Sequence, residues 1–190
     1  MLSKLNKTNI ICDVFAGVGP FSIRAGKIGC KVLANDLNPA SFEYLCKNIS
    51  KNKVTDKVKA FNQDARVFLT SLLSNSMPEC EGFLPFTDIY MNLPMDAIEF
   101  LDVLQGTFDR ELWKTLPTVH VYGFANEESE LVARIQGVWG QFDTSCLKFH
   151  QFRDISPKKY MYCIEFVVPE NIAFGSGEGE LRKVRKVVGN

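Results

Sequence analysis

The chain has 190 residues, is 46% hydrophobic and balances 22 Lys and Arg against 22 Asp and Glu. An apolar content that high with no net charge excludes intrinsic disorder. Without any run of about 18 apolar residues there is no membrane-spanning helix, and the opening MLSKLNKTNI lacks the apolar stretch of a signal peptide.

The length suits one domain that buries a core without staples. Zero net charge leaves RNA binding to a local patch and not to bulk charge. In chain order, Asn9–Val14 reads as a short buried strand, Phe21–Ile28 as a helix and Lys31–Asn35 as a second strand. Asn38-Pro39 then opens a helix, with an N-capping amide and a proline at the first helical position. Phe42, Leu45, Cys46 and Ile49 form its apolar face. Lys57–Asn62 is a third strand and Ala65–Leu73 a helix. Ser74–Phe86 is a long loop with three Pro or Gly punctuators. Asp88–Asn92 is a fourth strand, followed by a helix over Asp96–Leu104. Thr118–Phe124 is a fifth strand and Asn126–Trp139 a helix. Cys146–Ile155 and Tyr160–Val168 close the chain as an antiparallel pair around Ser156-Pro157. Strands alternating with helices predict a parallel α/β sheet. Seven strands ending in a reversed hairpin give the Rossmann-like outline of class I methyltransferases. One domain is expected over residues 1–169, with 170–190 a flexible basic tail. Six cysteines without C-x-x-C or histidine at ligand spacing predict reduced thiols in an intracellular protein and no metal site.

In open α/β sheets, ligands bind outside the carboxyl ends of the strands. Those ends read Asp13-Val-Phe-Ala-Gly-Val-Gly-Pro-Phe21, Asp36-Leu-Asn-Pro39, Asp64-Ala65 and Asn92-Leu-Pro94. Their first residues stand 23, 28 and 28 positions apart, about one βα unit each, so all four share one edge. Gly17 and Gly19 remove Cβ atoms where backbone must approach a ligand. The position of a third dinucleotide-binding glycine is Ser22. Asp36 is placed to accept both hydroxyls of a ribose, and Asp64 to accept from the exocyclic amine of adenine. Each has a plain alternative as an acid at a helix N-terminus. Together they outline an adenosine without phosphates, the footprint of S-adenosylmethionine (SAM). The Asn92 amide offers one acceptor and two donors, which suits the edge of a nucleobase. No Pro-Cys dipeptide supplies a nucleophile for carbon methylation.

DVFAGVGPF, ANDLNP, NQDAR, MNLPMDAIEFLD and HQFRDISPKKYMYCIEF together resemble the tRNA (guanine-N1)-methyltransferases of archaeal and eukaryotic type, which modify guanine 37 beside the anticodon. The resemblance runs from about Asp13 to Pro169. It implies that Phe15, Ala16, Gly17 and Gly19 pass under the methionine moiety and that Asp36 and Leu37 hold the ribose. It also implies that Asp64 and Ala65 hold the adenine, and that Asn92 and Pro94 line the methyl-transfer end, with Asn92 positioning substrate. The implied partner is the anticodon stem-loop of tRNA, with no membrane; the protein is expected as a cytoplasmic monomer, with mitochondrion and nucleus as further locations of a longer parent. The family's proposed general base is a glutamate upstream of the glycine loop, and residues 1–12 contain no Asp or Glu. The expectation is therefore a catalytic domain cut from a longer enzyme, without its tRNA-recognition regions and poorly active alone. Rival readings are a SAM-dependent transferase acting on rRNA or protein glutamine, a non-catalytic nucleotide-binding module, and a nicotinamide dehydrogenase.

Other chemistry-bearing residues have bland readings. His120 reads as a core or edge histidine. Lys47, Lys51, Lys53, Lys57 and Lys59 lie near a helix C-terminus, where cations complement the dipole. His150, Arg153, Lys158 and Lys159 form a hairpin-end patch able to touch phosphates. Tyr160 and Tyr162 read as packing against the sheet.

Overall fold

The computed structural model describes residues 5–156 and 159–175. Seven strands form one sheet: β1 (Ile10–Asp13), β2 (Lys31–Asn35), β3 (Val58–Phe61), β4 (Asp88–Met91), β5 (Thr118–Ala125), β6 (Lys148–Ser156) and β7 (Lys159–Val167). Their spatial order is β3-β2-β1-β4-β5-β7-β6. β1 to β5 are mutually parallel, and β7 runs antiparallel to both β5 and β6. The chain winds outward from β1 to β3, then returns to place β4 on the other side of β1. That reversal opens a crevice above β1 and β4, where ligands of such sheets bind.

Alternation along β1 explains the two layers. Ile11 faces the helices α1 (Pro20–Ile28) and α2 (Pro39–Lys51), packing with Ile23, Val32, Leu45 and Val58. Cys12 faces the opposite layer, with Phe68, Leu69 and Leu72 of α3 (Ala65–Leu73) and Leu131, Ile135 and Trp139 of α4 (Glu128–Trp139). Each fully buried Leu or Phe contributes roughly 1.5–3 kcal/mol. Both buried indoles are satisfied, Trp113 donating to the Leu73 carbonyl (2.9 Å) and Trp139 to that of Leu101 (2.8 Å). No disulfide joins any of the six cysteines.

The helix expected after β4 is present over Ala97–Leu104, as a 3-10 helix. Its buried Ile98, Leu101 and Leu104 recur every three residues, the period of the tighter helix, which sets them above one another. The expected tail from Glu170 is corrected at its start, where Glu170–Ala173 forms a short helix, α5. Ile172 and Ala173 are buried there, and their carbonyls accept from the N–H groups of Gly106 (2.8 Å) and Phe108 (3.3 Å). Residues 176–190 lie outside the described part. The patch around Arg153, Lys158 and Lys159 falls outside the described side chains.

Candidate functional site

The turns after four strands, β1 to β4, build the site. Beyond β1, Gly17 and Gly19 adopt left-handed backbone, with φ of 56° and 87°. A Cβ on Gly19 would lie 2.6 Å from Leu45 Cδ1, so the Leu45 methyl would have to shift to admit any larger residue there. A Cβ on Gly17 would meet nothing within 4 Å; only its backbone conformation requires glycine. Gly19 then precedes Pro20 at the start of α1.

Asp36 follows β2 and is half-buried. Its Oδ2 accepts from Gly17 N–H at 2.8 Å and its Oδ1 from Asn38 N–H at 2.9 Å. The helix cap itself is Asn38, which accepts from Ala40 N–H at 2.9 Å. Asp36 therefore ties the glycine loop to the β2 turn, and each of its oxygens retains a second lone pair. Asp64, after β3, is the N-cap of α3: its Oδ1 accepts from Arg66 N–H (2.9 Å) and Val67 N–H (3.3 Å). Its Oδ2 accepts no hydrogen bond among the described residues. The alternative reading of Asp64 as a helix-terminal acid thus holds for one oxygen and leaves the other available.

Sequence reasoning missed the support beneath these residues. Asn35 is buried, and its amide donates to the carbonyls of Val14 (3.3 Å) and Gln63 (3.0 Å) while accepting from Gln63 N–H (3.0 Å). It clamps the ends of β1, β2 and β3 together. Asn62 donates to the carbonyls of Asp36 (2.7 Å) and Leu37 (3.0 Å), fixing the β2 turn.

Phe15, Asp36, Leu37, Asp64, Ala65 and Asn92 line one cleft of about 570 Å³, within the size range of small-molecule sites. Leu93 and Phe100 add apolar walls that the sequence reading did not name. Phe100 meets Phe15 edge to face at 5.0 Å. The Arg66 guanidinium lies 4.2 Å from the centre of the Phe100 ring, held by the Asp102 carboxylate (3.0 Å) and the Glu99 carbonyl (3.2 Å). Ala16 lies apart from this cleft, in an adjoining cavity of about 80 Å³ that shares Phe15 and Asn92 with it. Gly17 reaches the cleft through its bond to Asp36. Gly19 and Pro94 line neither cavity and serve the turns on either side.

The small cavity also exposes a missed carboxyl group. Asp13 ends β1, is 3% exposed and accepts from the Ser22 hydroxyl at 2.5 Å. Burial pushes its pKa up to about 7, against the Ser22 hydrogen bond and with help from the Asp36 charge. Burial also raises the phenols of Tyr90 and Tyr122, which line the same cavity, so both stay neutral.

A second polar cluster lies on β4, β5, β6 and β7. His120 Nε2 lies 2.9 Å from Asp88 Oδ1, and its ring stacks on Tyr90 at 4.3 Å. Asp88 also accepts from the Thr87 hydroxyl (2.6 Å) and the Asn9 amide (2.9 Å). Burial raises the Asp88 pKa, but the hydrogen bonds from His120, Thr87 and Asn9 outweigh it and hold the group below its ordinary value. Glu165 Oε2 stands 3.8 Å from His120 Nδ1 and 3.5 Å from His150 Nε2. His120 is thus a core histidine, as its sequence setting suggests. Among the described residues no group of three or more His, Cys, Asp or Glu is arranged to hold a metal ion.

Comparisons with known proteins place this geometry. The TRM5/TYW2 methyltransferase domain family matches residues 1–146. A tRNA (guanine(37)-N(1))-methyltransferase of Phytophthora infestans (strain T30-4) is 42% identical over 183 residues, covering 93% of this chain and 42% of that protein. Among solved structures, Trm5b from Pyrococcus abyssi is 28% identical with a TM-score of 0.60, over 87% of this chain and 46% of that one. Methanocaldococcus jannaschii Trm5, crystallised in complex with adenosine, shares the fold with a TM-score of 0.65 at 24% identity, over 87% and 46% of the two chains. The chain therefore spans less than half the length of these relatives. The matched stretch contains the glycine loop, both strand-end aspartates and Asn92, and on it the chain belongs to the TRM5/TYW2 methyltransferase domain family.

Proposed function

We propose that this domain transfers a methyl group from S-adenosylmethionine to N1 of guanine 37 in tRNA. The observation that carries the reading is the convergence of Asp36, Asp64 and Asn92 on one cleft between apolar walls. The P. infestans relative, named for that reaction, supports the choice of substrate, and the adenosine complex of M. jannaschii Trm5 supports a nucleoside in the cleft.

The residues present fit the cofactor. Asp36 has one lone pair left on each oxygen, a match for two vicinal hydroxyls. Asp64 Oδ2 is open to an exocyclic amine, and Phe100, Phe15 and Leu37 supply surfaces for a flat purine. When bound, the cofactor supplies an electrophilic methyl group. Asn92, common to the cleft and the small cavity, presents donors and an acceptor to the target base and holds its N1 in line. Such positioning converts a two-body encounter into a unimolecular step, worth up to roughly 7–11 kcal/mol of barrier. N1 of guanine carries a proton at neutral pH, so a general base must take it. Asp36 and Asp64 are committed to backbone amides and to the nucleoside, so neither is that base.

The test is calorimetry of the chain with S-adenosylhomocysteine, followed by labelled methyl transfer to tRNA transcripts carrying guanine or adenine at position 37. Binding that disappears in Asp36→Ala, with any transferred label confined to the guanine transcript, supports the reading. Tighter binding of a nicotinamide dinucleotide, or equal labelling of both transcripts, overturns it.

A further inference from the structure

The opposite edge of the sheet carries a second concave surface. A groove of about 620 Å³ lies where α1 and α2 end and β2 begins, and Lys7, Lys27, Lys31, Lys53 and Lys57 line it. Among the described residues no acidic side chain lines it. The chain as a whole is neutral, so this is positive charge gathered in one place and not a general excess.

Helix dipoles account for part of it. Lys27 sits in the last turn of α1, where a cation is favoured. Lys7 and Lys31 belong to no helix. Lys53 follows the C-cap of α2 with a φ of 57°, a left-handed position that suits glycine or asparagine and strains lysine. The groove floor at Gly29 is bare backbone: a Cβ there would come within 2.9 Å of Lys7 Cγ, so the Lys7 stem lies across it. Few of the charges are spent internally. Lys57 pairs with Asp56 at 3.3 Å in an exposed contact, and Lys31 donates to the Gly82 carbonyl at 2.6 Å. Lys7, Lys27 and Lys53 make no ion pair among the described residues.

We propose that this groove holds backbone phosphates of the tRNA at a point away from the target nucleotide. The proposal rests on the methyltransferase reading above, which brings tRNA to this domain. Lysine ammoniums act as mobile point charges that read phosphate without reading sequence. Among the described residues no aromatic side chain lines the groove, which argues against insertion into a lipid surface. Lys31 begins β2 and Asn35 ends it, so the groove stands about 13 Å along the strand from the cleft. Contacts there would add affinity without touching the reacting base.

The experiment measures tRNA binding by fluorescence anisotropy across a salt series, for the whole chain and for a Lys7→Gln/Lys27→Gln/Lys53→Asn triple variant. Each lost phosphate contact lowers the slope of log K against log salt by about 0.7–0.9. The triple variant is expected to lose about 2 in slope and to bind tRNA about tenfold or more weakly near physiological salt. Its binding of S-adenosylhomocysteine should be unchanged, because no mutated residue lines the cleft. Lys53→Asn alone relieves the left-handed strain, so its melting temperature should hold or rise while its slope falls, which separates phosphate binding from folding. An unchanged slope in a variant that folds, with the parent chain binding tRNA, overturns the groove alone. A parent chain that binds no tRNA overturns both the groove and the tRNA reading. Variants that lose binding to phosphatidylserine vesicles or polyglutamate, but keep tRNA binding, reassign the groove and also overturn the proposal.

Discussion

The carboxyl-edge cleft and the His120 cluster are both rich in ionisable groups, yet they spend their hydrogen bonds differently. Asp88 already receives donors from His120, Thr87 and Asn9, and its partners tie β4 and β5 together. Among the described residues, Asp36 and Asp64 receive only backbone N–H groups, from their own turns and, for Asp36, from the glycine loop, and they keep lone pairs beside open volume. A carboxylate saturated by side-chain donors serves the fold. One oriented by backbone amides, with acceptor capacity left over, is placed for a ligand.

The largest effect expected of this contrast is at Asp36. Asp36→Ala removes two charge-assisted acceptors and the anchor of the Gly17 turn, so affinity for S-adenosylhomocysteine should fall by more than about 100-fold in calorimetry. Retained affinity would break the comparison on the cleft side. Next is the pH dependence of Asp13. Its pKa in the folded protein is raised to about 7 from an ordinary 3.8. Its protonated form therefore favours folding fully below the unfolded pKa, and that contribution is lost as pH rises from about 4 through about 7. Asp13→Asn keeps an acceptor for Ser22 and removes the titration. In urea unfolding, the variant should gain on the parent chain across that window, by on the order of 3 kcal/mol. A difference flat in pH would show that Asp13 is ionised throughout.

His120→Ala should cost about 2 kcal/mol of unfolding free energy by leaving Asp88 short of a donor, while cofactor affinity stays within about twofold. Loss of cofactor binding in a folded His120→Ala protein would erase the distinction between the two regions. Phe100→Ala is expected to be mildest. Losing one aromatic wall should weaken S-adenosylhomocysteine about tenfold, roughly 1.4 kcal/mol, and equal binding would move the purine away from the 3-10 helix.

The strand-end residues were legible because strand periodicity alone sets where each turn must fall. The spacing from Asp13 to Asp36, Asp64 and Asn92 by itself puts these groups on one edge. Their supports were not legible. Asn35 reads as the last residue of an apolar strand, and only the meeting of three strand ends makes its amide a clamp. Phe100 has no distinguishing signal in the AIEFL run; it becomes a wall because the 3-10 helix sets it against Phe15. Asp13 was visible as the start of the glycine loop, but its raised pKa comes from burial and the nearby Asp36 charge, against the Ser22 hydrogen bond. The apolar NIAF stretch after Pro169 was masked by the glycines that follow it, so α5 passed for tail.

The 3-10 helix presents Phe100 to the cleft while Ile98, Leu101 and Leu104 root it in the interior, and the Arg66–Asp102 pair braces it from outside. A wall anchored that way cannot swing aside without opening the core. Capture of a nucleoside should then be a single kinetic event, with an observed rate rising linearly in concentration and no slower phase trailing it.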